Sequence, residues 1–280
     1  MVTIENGYLK VKISKIGAEL QSILCKFNKK DYLIEKTSTT IFPIIGPLQN
    51  NSYTYNSKEF SMNFNGFIQK TSFFIEDVNP EAVIFKCSST PETYSIYPFN
   101  FELYIKYSLN LNTVKVEYLV KNIDNKTIYF HLGSNSNVSL QGNALDNYLI
   151  TVSPNRSLIS SKFTLDKNFF TKKETKSFKT PIKLNRTILN EHPLIFKSSD
   201  VNTISLLKKN TRDGIVIQSH KFDYITLIEH GKENSVTIGA WNGISDEETT
   251  SKDIKKKGKI KSLEKGKTFN CLFTMEVIYF

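Results

Sequence analysis

Apolar and polar residues alternate along most of the chain with a period of two. In FELYIKYSLNL, Phe101, Leu103, Ile105, Tyr107, Leu109 and Leu111 fall on one face, and Glu102, Tyr104, Lys106 and Ser108 on the other. A pleated strand sends successive side chains to opposite faces, so this run predicts a half-buried β-strand. Asn110 and Asn112 supply turn chemistry, because asparagine tolerates left-handed backbone angles. TVKVEYLVKN follows with Val114, Val116, Tyr118 and Val120 in phase; the turn IDNKT and a third strand, IYFHLGS, complete a predicted meander of antiparallel hairpins.

The same texture recurs in YLKVKIS, AELQSILCKF, KDYLIEK and EAVIFKCSS before the meander. After it come NYLITVS, TISLLKK, GIVIQSH, YITLIEH, NSVTIGAW and FNCLFTMEVIYF. FNGFIQK, residues 64–70, reads as a turn between two strand-like runs. No segment carries an amphipathic helical pattern longer than two turns, and no Pro/Gly/Ser-rich linker or internal repeat divides the chain. The expectation is a single all-β domain over residues 1–280, a sandwich or barrel of large antiparallel sheets, with any site on strand faces and loops.

Composition supports that expectation. Hydrophobic residues make up 39% of the 280 and aromatics 12%, enough for a core that needs no staples. Cys25, Cys87 and Cys271 are scattered, which argues against a disulfide framework or a metal site and for a reducing compartment. The opening MVTIENGYLKVKIS alternates and lacks a long apolar core, so a secretory leader is not expected. No apolar run approaches the roughly 18 residues of a membrane span. The reading is a cytoplasmic protein with no membrane partner.

The formal net charge is +10. Its densest part, SKDIKKKGKIKSLEKGK (251–267), has no interleaved aromatics of the kind single-stranded nucleic acid stacks on, and it is expected to be a solvated loop. No nucleic-acid partner is implied. The oligomeric state is left open.

Chemical motifs are sparse. There is no phosphate-binding glycine loop, zinc spacing or nucleophile elbow, and His131, His192, His220 and His230 lie far apart. Glu229 and His230 adjoin, but strand neighbours face opposite sides. Two stretches look like unusual loops: HLGSNSNVSL (131–140) and GAWNGISDE (239–247), the latter with the only tryptophan, Trp241. Amides offer donors and acceptors to hydroxyls, and an aromatic face suits the C–H side of a sugar ring. Ordinary turn chemistry and a core tryptophan would account for the same residues.

Three segments together resemble the aldose 1-epimerase (galactose mutarotase-like) family, in its bacterial branch related to the lactose-operon protein X. They are TIFPIIGPLQNNSYTYNSKEFSMNFNGFIQKTSFF, YPFNFELYIKYSLNLNTVKVEYLVKN and TIGAWNGISDE. Phe42, Pro43, Gly46, Leu48, Gly66, Phe67, Tyr97, Pro98, Phe99, Gly133, Trp241, Gly243 and Asp246 fit the family pattern. The resemblance covers nearly the whole chain. It implies a galactose mutarotase-like β-supersandwich with a shallow sugar groove on one sheet, and interconversion of aldose anomers by a glutamate base and a histidine acid.

This sequence departs from the pattern at each reactive position. The base matches Gly239, the acid Asn135, a second histidine Asn65, an arginine Pro47, and a hydroxyl-binding aspartate falls at or near His192. Losing a positioned acid or base typically costs about 10²–10⁴-fold each. The resemblance therefore implies a small-molecule carbohydrate held by Asn65, Gln69, Asn135, Asn137, His192 and Trp241, with no cofactor, no metal and no assigned catalytic residue. Two alternatives stay open. One is an epimerase or related sugar isomerase using displaced groups among His131, His192, Glu229, His230 and Asp246. The other is a non-catalytic scaffold that meets a polyanion through Lys255, Lys256, Lys257, Lys259 and Lys261.

Overall fold

The computed structural model describes residues 1–34, 39–153, 158–166, 169–178, 182–183, 194–228 and 235–279. Antiparallel strands dominate. A nine-stranded sheet runs in the order Ile182–Lys183, Tyr148–Ser153, Thr203–Lys208, Gly214–His220, Thr268–Ile278, Thr113–Asn122, Phe101–Asn110, Ala82–Ser88, Phe74–Asn79. A seven-stranded sheet runs Phe169–Phe178, Leu158–Asp166, Leu194–Lys197, Tyr224–Ile228, Ser235–Asn242, Leu132–Ser139, Thr39–Ile41. A three-stranded sheet near the N-terminus and two two-stranded ribbons complete the described architecture.

The two large sheets share one core. Val114, Val116, Ile217 and Phe273 from the nine-stranded sheet meet Leu132, Val138, Ile225, Leu227, Val236 and Ile238 from the other in one buried cluster. Each of these is every second residue of its strand, which is why the period-two pattern located the core. Thr90 caps a short helix, Pro91–Ile96, through a reciprocal capping box with Thr93.

The structure corrects four readings of the sequence. IYF (Ile128–Phe130) does not extend the meander; it pairs with Lys261–Leu263, and the free side of Thr113–Asn122 takes the C-terminal strand Thr268–Ile278 instead. HLGSNSNVSL is not a loop. Leu132–Ser139 is a strand paired along all eight residues with Ser235–Asn242 and partly with Thr39–Ile41. Pairing on both sides overrides the weak intrinsic strand preference of serine, glycine and asparagine. The described part of KDYLIEK, residues 30–34, contributes isolated bridges at Asp31 and Leu33 rather than a strand. The run 251–267 is not uniformly solvated: Lys257 is buried, and Lys261 begins a strand.

Candidate functional site

The seven-stranded sheet has an inner face toward the core and an outer face. Along Leu132–Ser139 the even residues go inward. Ser134 sits with Thr40 near the buried Tyr118 hydroxyl, and Ser134 and Ser136 face Ile217 and Phe273 across the inter-sheet gap. The odd residues Gly133, Asn135 and Asn137 go outward. Register then sets out three cross-strand rows on the outer face. The first is Lys197, Tyr224, Trp241, Gly133, Ile41; the second is Ile195, Thr226, Gly239, Asn135, Thr39; the third is Ile228, Thr237, Asn137.

The centre of this face is closely filled. The Trp241 indole Nε1 donates to Asn135 Oδ1 at 2.9 Å. Gly239 lies between them in register, and a Cβ there would stand 2.6 Å from Asn135 Oδ1 and 2.8 Å from Trp241 Nε1, with Thr226 Oγ1 closer still. The space above Gly239 is thus occupied by its neighbours. Trp241 is only 4% exposed and packs with Ile41, Ile45 and Ile195 in a small apolar cluster separate from the main core. Thr226 Oγ1 is buried in the same place without a hydrogen-bond partner.

The amides share one habit. Asn135 Oδ1 is engaged by Trp241, Asn137 Oδ1 accepts from the Thr237 hydroxyl, and Asn65 Oδ1 accepts from Gly46 N at 2.7 Å. Among the described residues their Nδ2 groups find no acceptor, and none is a fully enclosed orphan. Asn65 owes its placement to backbone geometry. It and Gly66 both have positive φ, and Gly66 passes so close to the Phe42 carbonyl that a Cβ there would clash. Pro47 is buried. Gln69 lies in a short 3-10 turn, Ile68–Lys70, with its backbone against Gly17. His192, Glu229 and His230 lie outside the described residues.

Of the displaced acid/base candidates, two can be located. His131 is fully buried; its Nδ1 accepts from Ile45 N at 3.3 Å and its Nε2 faces Gly258 O at 3.0 Å. Burial pulls its pKa down to about 3, so it is a neutral, fully engaged tie between loops. Asp246 is ion-paired to Lys257 at 2.5 Å with both side chains inaccessible. Burial raises the Asp246 carboxyl above its ordinary range while the Lys257 ammonium opposes that shift. Neither group is presented at Gly239 or Asn135. Sequence reasoning did not single out Thr226 and Tyr224. Only strand register brings them beside Gly239 and Trp241.

Comparison with known proteins settles the lineage. The aldose 1-epimerase family model matches residues 1–270. The chain belongs to the aldose 1-epimerase family. Protein LacX of Lactococcus lactis subsp. lactis, in its plasmid and chromosomal forms, is 24% identical over 269 residues, covering 87% of this chain and 88% of the relative. A galactose mutarotase related enzyme from Lactobacillus acidophilus superposes with TM-score 0.92 at 24% identity, over 99% of this chain and 97% of the other. A galactose mutarotase-like protein from Lactobacillus casei gives TM-score 0.90 at 25% identity, over 99% and 100%. The galactose mutarotase-like fold expected from the three sequence segments is therefore the fold of this chain. Among the described residues no helix is long and apolar enough to cross a membrane, and no cluster of side chains could hold a metal.

Proposed function

We propose that this chain is a carbohydrate-binding member of the aldose 1-epimerase family that lacks the family's acid/base pair, folded as one unit. One relationship carries the reading. Asn135 and Gly239 are register partners on the outer face; one offers an amide whose carbonyl is engaged by Trp241, the other no side chain and no room for one. Anomer exchange needs one group to take the anomeric proton and another to supply one to the ring oxygen. An amide does not titrate near neutrality, and a backbone has no base.

What remains suits recognition. Among the described residues the Nδ2 groups of Asn65, Asn135 and Asn137 are unspent donors for sugar hydroxyls, and Tyr224 adds a half-buried ring beside Trp241. The three cysteines are buried and free, which fits a reducing cytoplasm. Two measurements test the reading. Polarimetry of fresh α-glucose and α-galactose should follow the buffer rate at micromolar protein; a clear acceleration would overturn the loss of catalysis. Calorimetric titration of a sugar panel should give weak, saturable binding; silence across the panel would remove carbohydrate binding.

A further inference from the structure

At the Lys197 end of the first outer-face row lies a hollow of about 300 Å³, lined by Lys197, Ser199, Phe222, Asp223, Tyr224 and Lys259. This is the lower end of the size range of small-molecule sites, about 300–1,000 Å³. Tyr224 pairs in register with Trp241 on one side and Lys197 on the other. The hollow therefore continues the row that holds Trp241, and Lys197 stands two strand spacings, roughly 10 Å, from it.

The charges around this hollow do not balance. Asp223 is the one carboxylate among its lining residues, and both its oxygens are already engaged. Lys261 Nζ reaches Oδ1 at 2.9 Å and Oδ2 at 2.8 Å, and Gly243 N donates to Oδ2 at 3.0 Å. The carboxylate is thus neutralised from behind. Asp200 accepts the Ser199 hydroxyl at 3.2 Å and is not part of the lining. Among the described residues, Lys197 and Lys259 have neither an ion pair nor a hydrogen-bonded partner for their ammonium groups, and the Tyr224 hydroxyl donates to no acceptor. Neighbouring Lys257 and Lys261, by contrast, are each paired with an aspartate. Two free cations and a phenol around a neutralised acid form a receptor for an anion, and an ammonium binds phosphate or carboxylate as a point charge.

We propose that the ligand is an acidic sugar. Its ring lies along the Tyr224–Trp241–Asn135 side of the outer face, and its phosphate or carboxylate sits between Lys197 and Lys259. The inference rests on the carbohydrate reading above and names the substrate class that reading leaves open. It also accounts for an outer face short of charge at its centre. There the amides read hydroxyls, while the charged contact is displaced to the rim.

The test is a calorimetric titration of the wild-type chain with glucose and galactose, their 6-phosphates, their uronates, and inorganic phosphate alone. The series is repeated on Lys197→Met, Lys259→Met, and Lys12→Met as an exposed control. One acidic class should bind at least about ten-fold tighter than the neutral sugar, the size of one good charge-assisted contact. Its affinity should fall with salt, and the two rim variants should lose the preference while keeping neutral-sugar binding. The phosphate and uronate arms identify which anion is used. Equal affinity for neutral and acidic sugars, unchanged in the rim variants, overturns the anion subsite and leaves carbohydrate binding intact. Binding of inorganic phosphate that depends on Lys197 and Lys259, with every sugar silent, upholds the subsite and overturns the carbohydrate reading. No binding of phosphate or any acidic sugar overturns the proposal.

Discussion

The indole N–H of Trp241 and the side-chain carbonyl of Asn135 close over Gly239 at 2.9 Å, so two residues far apart in sequence stand in for the side chain that Gly239 lacks. Gly239→Ala should therefore overpack the outer face. The expected loss is about 1–3 kcal/mol of stability, read by urea unfolding. Introducing the acid/base pair that the resemblance implies, Gly239→Glu and Asn135→His together, should not speed mutarotation in polarimetry, because Thr226 and Trp241 still fill the space the carboxylate would need. A double variant that catalyses well would show the site to be poised rather than closed.

The Asp246–Lys257 pair has both side chains out of water. Lys257→Met alone strands a buried carboxylate and should cost about 3–5 kcal/mol. Adding Asp246→Leu should recover much of that loss, since an apolar pair of similar volume suffers no desolvation. Thermal unfolding of the two variants checks the order; a double variant less stable than the single one refutes it.

His131 makes stability fall on acidification. Its folded pKa is about 3, against about 6.5 for an ordinary histidine. Below pH 6.5 the unfolded chain takes up a proton that the folded chain refuses, so stability drops as pH falls from about 6.5 toward 3. By pH 5 the loss from this group alone is about 2 kcal/mol. Glu19 works in the opposite sense. Burial lifts it to about 7, so the folded chain keeps a proton that the unfolded one has released, and stability falls as pH rises from about 4.3 to 7. Glu19 is only partly shielded from water, so its effect is the smaller. Urea midpoints between pH 4.5 and 7.5 should slope more steeply in Glu19→Gln, and that slope should flatten when His131→Gln is added.

The basic run should bind polyanions feebly. Lys257 is buried and Lys261 is held by Asp223, which leaves Lys255, Lys256 and Lys259 of the five candidates at the surface. Retention on heparin should disappear at or below about 0.15 M salt, where charges more than about 8 Å apart are already screened. Tight retention above that would revive the scaffold alternative.

The fold was legible because period-two alternation is a local property: Phe101 to Leu109 and Val114 to Val120 declare their buried faces without reference to anything distant. Leu132–Ser139 was not legible as a strand, since its serines and asparagines have weak intrinsic preference and are held by partners about 100 residues away. The resemblance implied departures at Gly239 and Asn135, which could be proposed from the sequence. Their physical meaning could not. Thr226, Trp241 and Asn135 converge on one point only after three strands are in register, and nothing near Lys257 announces that Asp246 will bury it.

The alternation within Leu132–Ser139 has an evolutionary corollary. Even-numbered residues there help hold the sheets together, and odd-numbered ones face away from that shared core. Natural selection can therefore rewrite the outer face of such a strand without disturbing its structural face, so the chemistry displayed there is free to change while the architecture stands still.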